Sequence, residues 1–121
     1  MAASGTINII AELLGLGKDL DFVDRFTLTN TPTKSHYAYR QQAVADTAEA
    51  LDVGDISTID LIIIKAVTND MLVDTSWVSS FTSELIVLGG EIAVFKPSGT
   101  VYINNQDSAE QCTYEYIIIG R

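Results

Sequence analysis

Apolar and polar residues alternate in short runs along this chain, and turn-forming residues separate the runs. The clearest stretch extends from Ser83 to Gly120, where four apolar runs are divided by Gly89-Gly90, by Pro97-Ser98-Gly99 and by a polar segment. Two glycines between apolar runs predict a two-residue hairpin, and proline followed by glycine predicts a tight turn. This stretch therefore predicts an all-β architecture, and it offers no catalytic residue.

Strands are also predicted upstream of this stretch. Residues 24–30 and 36–44 alternate, and the second of these segments places Tyr37 and Tyr39 opposite His36 and Arg40. Residues 6–14 fit either a helix or a strand, as do residues 43–51, and a strand is predicted for both. The strongest strand, residues 57–67, is apolar on both faces: Ile59, Leu61, Ile63 and Val67 share one, and Ile62, Ile64 and Ala66 share the other.

About eight or nine short strands with regularly spaced turns are typical of an antiparallel β-sandwich or jelly roll. We therefore predict one jelly-roll-like β-sandwich domain over residues 1–121, with residues 1–20 forming an N-terminal arm or an edge strand. The predicted core consists of Phe26, Leu28, Leu61, Ile63, Val94 and Tyr116 or Ile118.

The net charge of the chain limits the classes of partner that it can bind. Sixteen acidic residues against seven basic ones give a net charge of −9, which argues against binding to nucleic acid or to an anionic membrane surface. The acidic excess either keeps a β-rich protein soluble or prepares it for a basic partner surface. No apolar run approaches the ~20 residues of a membrane helix. The first residues lack the features of a signal peptide, so synthesis in the cytoplasm is expected.

The residues able to carry chemistry are few. Cys112 is the single cysteine, which excludes an internal disulfide. Cys112 and His36 are the residue types that a Cys-His enzyme uses, but chance explains the presence of one residue of each type. One histidine is too few for a metal-dependent cupin. Asp19, Asp21 and Asp24 surround a predicted turn and Asp52 and Asp55 flank Gly54. Either group has oxygen ligands of the kind that calcium uses, but neither matches the EF-hand loop, and such pairs are usually solvated turn residues. No enzyme activity, metal or cofactor is therefore predicted.

Two strands are apolar on both faces, although a two-layer sandwich covers only one face of each sheet. Ile62, Ile64, Ile117 and Ile119 are assigned to the outer faces and lack an obvious partner within the chain. A short helix, the N-terminal segment or a neighbouring subunit would cover them, and we favour a homo-oligomer, expected to be a trimer.

Trp77 and Phe81 lie in a segment rich in serine and threonine. These two rings either fill the sandwich core or form an aromatic contact patch for a sugar or a protein partner.

Three segments resemble a pattern common in small virion proteins of tailed bacteriophages. Residues 50–65 pair a Leu-Asp-Val-Gly-Asp turn with an apolar strand, residues 88–99 combine Leu-Gly-Gly-Glu with Phe-Lys-Pro-Ser-Gly, and residues 114–118 read Tyr-Glu-Tyr-Ile-Ile. The resemblance extends from about Ala48 to Gly120 and lies in strands and turns. It implies a jelly-roll or β-sandwich protein of the phage particle.

Among these proteins the resemblance favours a capsid cement or decoration protein, located on the outside of the phage head. Its partner would be the major capsid protein, whose subunits it would bridge, commonly as a trimer. Asp19, Asp21, Asp52 and Asp55 are candidates for contact with basic capsid residues. The alternative is a receptor- or glycan-binding module of a tail or head fibre, with Trp77, Phe81 and the tyrosines stacking against sugar.

Overall fold

The computed structural model describes residues 3–13, 20–42, 47–105 and 110–121, and these residues form ten β-strands and no helix. The strands are β1 Thr6–Leu13, β2 Leu20–Thr27, β3 Lys34–Gln42, β4 Glu49–Ala50, β5 Ile59–Thr68, β6 Met71–Trp77, β7 Leu85–Val87, β8 Ile92–Phe95, β9 Thr100–Asn105 and β10 Cys112–Gly120. Strands are thus confirmed in both ambiguous segments, as β1 and as the two residues of β4.

The chain divides into two compact units, Met1–Thr33 and Lys34–Arg121. In the first unit, β1 and β2 form an antiparallel ladder from the Thr6–Thr27 pair to the Leu13–Leu20 pair. The backbone N–H of Leu28 extends this ladder by donating to the Gly5 carbonyl at 2.8 Å. The Leu28 side chain packs so closely on Gly5 that an added Cβ there would lie 2.7 Å from the Leu28 Cδ1 atom.

The second unit is an antiparallel β-sandwich, as predicted from the sequence. One sheet has the strand order β3-β10-β5-β8, and the other has the order β4-β9-β6-β7. Four nested pairs connect the strands, β3 with β10, β4 with β9, β5 with β8 and β6 with β7. This nesting is the jelly-roll arrangement of eight strands in two four-stranded sheets. The sandwich begins at Lys34, whereas the sequence prediction placed a single domain over residues 1–121.

The predicted hairpin at Gly89-Gly90 needs correction. The turn itself is present, with Gly90 at φ +89° and the Glu91 N–H donating to the Leu88 carbonyl at 2.8 Å. However, β7 before it pairs with β6, and β8 after it pairs with β5 in the other sheet. Pro97 to Gly99 likewise connects β8 of one sheet to β9 of the other. Turn residues reverse the chain, but they do not determine which sheet the next strand joins.

The core lies between the two sheets, and the β5–β10 pair contributes much of it. Ile62 faces Ile118 across this pair, and Ile64 faces Tyr116. Sheet β4-β9-β6-β7 packs against them from the opposite side. The buried apolar cluster comprises Leu51, Ile56, Ile62, Ile64, Ala66, Met71, Val73, Val87, Val101, Ile103, Cys112, Tyr114, Tyr116 and Ile118.

The predicted core is correct in part. Leu61, Tyr116 and Ile118 are buried, but Phe26 and Val94 are each more than 40% exposed, and Leu28 and Ile63 are half-buried. Within the sandwich, the sequence prediction exchanged the inner and outer faces of β5. Ile62 and Ile64 point inwards and Ile63 points outwards, because a strand that is apolar on both sides does not reveal its inner face through periodicity alone.

The burial of Ile64 leads to a test. Replacing it by alanine should lower the free energy of unfolding by about 2–5 kcal/mol, because the substitution removes buried methyl groups and leaves a cavity. The matched control is Ile63→Ala in the same strand, which should cost clearly less. Urea unfolding of both variants measures the difference, and a larger cost for Ile63→Ala would contradict the assigned faces.

Candidate functional site

The side of sheet β3-β10-β5-β8 that faces away from the core carries an ordered set of side chains. The pairing registers align two rows across all four strands. In order from β8 to β3, one row is Val94, Ile63, Ile117 and Tyr37, and the other is Ile92, Lys65, Glu115 and Tyr39. We call these eight residues the outer face.

The outer face is apolar and open to solvent. Ile92 is 60% exposed, Tyr37 59% and Tyr39 58%, and Val94 and Ile117 are also exposed. An antiparallel sheet that packs on one side usually carries polar side chains on the other. A contiguous apolar patch of this kind generally marks an interaction surface.

The predicted interface isoleucines divide between the two sides of this sheet. Ile117 belongs to the outer face, and Ile119 lies half-buried on the same side of β10, paired in register with Leu61. Ile62 and Ile64 are 0% exposed and belong to the core. Their assignment to an oligomer interface is therefore corrected, because side chains enclosed within one chain cannot meet a partner.

The two charges of the outer face lie side by side. Lys65 and Glu115 are register partners on β5 and β10. The hydroxyl group of Tyr37 donates a hydrogen bond of 2.8 Å to the Glu115 Oε2 atom. This bond stabilises the protonated phenol and raises the pKa of Tyr37 above its usual value. Among the described residues, no carboxylate lies within 4.0 Å of the Lys65 ammonium group.

A shallow groove crosses the middle of the outer face. Its volume is about 290 Å³, and its lining includes Tyr37, Ile63, Lys65, Ile92 and Ile117. The outer face therefore has a shallow depression as well as exposed apolar area.

The carboxylate of Asp52 makes its contacts within its own chain. Its Oδ1 atom accepts a 2.9 Å hydrogen bond from the Gly54 N–H, and its Oδ2 atom lies 2.7 Å from Arg40 Nη2 and 3.7 Å from His36 Nε2. The Gly54 bond is the main cause that lowers the pKa of Asp52, and His36 and Arg40 add to it. Gly54 has φ +60°, and an added Cβ would lie 2.9 Å from the His36 ring. Asp52 therefore orders the loop between β4 and β5.

The structure describes the other three predicted acidic contact residues to different extents. Asp55 is exposed, with its Oδ2 atom 3.7 Å from Lys34 Nζ. Asp21 belongs to β2, where it pairs with Glu12. Asp19 lies outside the described residues. Of the two carboxylates that the structure describes, that of Asp55 is the more accessible: its side chain is 81% exposed, against 44% for Asp52.

Trp77 and Phe81 are both half-buried, and neither belongs to the buried core cluster. The Trp77 ring stacks on Tyr102, with ring centroids 4.1 Å apart and planes 14° apart. Tyr102 is on β9, on the side of its sheet that faces away from the core, between the buried Val101 and Ile103. The aromatic pair therefore covers part of the second sheet's exterior.

His36 and Cys112 do not form a dyad. In the β3–β10 ladder His36 pairs with Ile118 and Cys112 with Gln42, six residues further along β3, a separation of roughly 20 Å. Cys112 is buried, and burial raises the pKa of its thiol to about 11. Within the described part of the chain, no group of three or more His, Cys, Asp or Glu side chains is placed to hold a metal ion.

A second cavity opens at one end of the sandwich. Its volume is about 500 Å³, and it lies between the β4–β5 loop and the β8–β9 turn. Leu51, Ile56 and Val101 contribute apolar surface, and Ser98 and Thr100 contribute hydroxyl groups. None of the described residues that line it carries a charge.

Sequence reasoning missed four members of this candidate surface: Lys65, Glu115, Ile92 and Val94. A signal was nevertheless available in the two long strands. Lys65 has the parity of Ile63, and Glu115 has the parity of Ile117. A charged residue within an apolar strand usually points to the solvent, so each charge marks the outer side of its strand.

No known family model matches the sequence, and neither the curated proteins nor the solved structures contain a match to it. Among the described residues no helix has the length and apolarity needed to cross a membrane.

The lowered pKa of Asp52 predicts a pH-dependent contribution to stability. A carboxyl group whose pKa is lower in the folded state stabilises the fold fully above its unfolded pKa of about 3.9, and this contribution disappears as pH falls through the folded pKa. Asp52→Asn should therefore be less stable than the parent at neutral pH, and the difference should shrink below about pH 3.9.

Urea unfolding between about pH 7 and pH 2 measures this difference across the titration range of the carboxyl group. Asp55→Asn, in the same loop, is the matched control and should show a much smaller change. A stability difference for Asp52→Asn that is independent of pH would contradict the assigned role.

Proposed function

We propose that this chain is a structural component of a virion, a cement or decoration protein that binds the outside of a phage head and bridges capsid subunits. The observation that carries the proposal is the outer face, an apolar surface that an isolated sandwich leaves in water. A protein that functions within an assembly has such a surface covered by its neighbours. The jelly-roll fold is compatible with this role, but a fold alone does not determine a function.

The charge of the chain supports attachment to a basic surface. The net charge is −9, and exposed acidic groups such as Asp55 would approach basic side chains of the major capsid protein. Charges at the rim of an interface mainly set the association rate and the register. Added salt should therefore weaken attachment without abolishing it.

The mechanism of stabilisation would be mass action. A ligand that binds the assembled shell and not its separated subunits shifts the equilibrium towards the assembled state. No chemical step is needed for this effect. On the shell, three copies around a local three-fold position, as the resemblance implies, would multiply such contacts.

The test compares phage particles with and without the protein. Particles that carry it should resist heat and osmotic shock better and should contain hundreds of copies, on the order of the number of capsid subunit clusters. His36→Ala should attach nearly as well as the parent, because His36 is not assigned to the contact. Equal resistance of both particle types, together with a handful of copies per particle, would refute the cement proposal.

The second candidate is a glycan-binding module, favoured by the stack of Trp77 on Tyr102 on the exterior of the other sheet. Aromatic rings of this kind combine a large apolar surface with a polar group. Trp77 is the only tryptophan in the chain, so its fluorescence reports directly on this position.

We expect a surface polysaccharide of the host to change the Trp77 fluorescence only if this second candidate is correct. Tyr102→Ala should then lower the affinity at least about tenfold through loss of the stacked pair. Ile117→Ala, on the opposite sheet, is the control and should leave the affinity unchanged. An unchanged spectrum at saturating polysaccharide would remove this candidate.

A further inference from the structure

Each of the two rows of the outer face is complementary to the same row read in the opposite strand order. The row Val94, Ile63, Ile117 and Tyr37 is apolar at every position. In the row Ile92, Lys65, Glu115 and Tyr39, two apolar ends flank one positive and one negative charge. A second copy that faces the first with its strand order reversed places Lys65 against Glu115 and apolar residues against apolar residues.

One symmetry operation achieves this match for both rows at once. Lys65 and Glu115 are register partners, as are Ile63 and Ile117, so each pair lies at one height along the strands. A two-fold axis parallel to the strands and midway between β5 and β10 stacks β5 of one copy on β10 of the other. The same axis stacks β8 on β3, which brings Val94 to Tyr37 and Ile92 to Tyr39.

The charges of the outer face select the partner. The chain carries sixteen acids and seven bases, yet the outer face holds one of each. In the described structure the Lys65 ammonium group has no carboxylate within 4.0 Å, and Glu115 accepts a bond from the neutral Tyr37 hydroxyl. A strongly basic or strongly acidic partner would place a like charge opposite one of these two residues. A second copy pairs both.

We propose that the outer face binds a second copy of this chain in a two-fold, face-to-face pair, with Lys65 of each copy opposite Glu115 of the other. Such an interface is isologous, because both copies contribute the same surface. A tilt of this axis by roughly 15° from the strand direction would give the roughly 30° crossing angle usual for packed sheets, and the central strands β5 and β10 would then make the closest contacts.

The size of the outer face sets the strength of the pair. Its two rows occupy about four residues of each of four strands spaced ~4.8 Å apart, which gives roughly 250 Å² of flat area per copy. Two such faces together bury less than about 1,200 Å², the area at which standard specific interfaces begin, so the pair should be weak and should dissociate on dilution. This pairing does not require attachment to a capsid, and its two-fold symmetry differs from the three-fold symmetry of the predicted homotrimer.

Sedimentation equilibrium over a range of concentrations tests the proposal with charge exchanges. Lys65→Glu and Glu115→Lys should each weaken association roughly 100-fold, because each creates two like-charge contacts in the pair. An equimolar mixture of the two variants should restore association, since opposite charges then meet at both positions. The double variant should also associate like the parent.

The mixture isolates the contact between copies. Within one copy each single exchange places like charges on neighbouring strands, and mixing leaves that effect unchanged. Glu110→Lys makes the same charge change at an exposed position outside the outer face and should associate like the parent. Circular dichroism and urea midpoints verify that each variant is folded.

Three outcomes would overturn the proposal: a parent that remains monomeric at all concentrations, a parent with the mass of a trimer, or a mixture that fails to restore association. Loss of capsid attachment alone would refute the proposed function and leave this pairing intact, because the pairing is measured on the isolated protein.

Discussion

The register between β5 and β10 is the constraint on which the rest of the sandwich depends. These are the two central strands of their sheet. On the inner side the register opposes Ile62 with Ile118 and Ile64 with Tyr116, and on the outer side it opposes Ile63 with Ile117 and Lys65 with Glu115. A slip of either strand by one residue would exchange the two sides of that strand, burying its charge and exposing its core residues. The same ladder thus determines the core and the surface offered to partners.

Polar contacts fix the connections at the end of the sandwich where β5 begins. The Tyr116 hydroxyl donates to the Asp52 carbonyl at 2.7 Å, which ties the β4–β5 loop to the middle of β10. Arg121 forms two hydrogen bonds with the buried carboxylate of Asp60, and a buried charge is tolerated when it is paired in this way. Gly120 allows a close approach, because a side chain there would collide with the Thr58 carbonyl.

The two sheets present different exteriors. The exterior of β3-β10-β5-β8 is apolar with one balanced pair of charges, whereas the exterior of β4-β9-β6-β7 carries the stacked Trp77 and Tyr102. The acidic Asp55 lies on the connecting loop. Self-association through the first exterior would leave the second exterior and the loop for other contacts. This division is compatible with a protein that both pairs with itself and attaches to a larger assembly.

The sequence by itself determined the strands, the turns and the β-sandwich class, because alternation and turn chemistry are local properties of the chain. It also placed Tyr37 and Tyr39 opposite His36 and Arg40, as the burial and contacts of β3 confirm. Apolar periodicity left both faces of β5 possible, because Ile62 and Ile63 are equally apolar. The parity of Lys65 with Ile63 indicated the outer side, and the tertiary structure established that Ile62 is buried. It also decided that the Gly89-Gly90 turn crosses between sheets. Both decisions depend on partners far apart in the chain, since jelly-roll pairs such as β3 and β10 have no local signature.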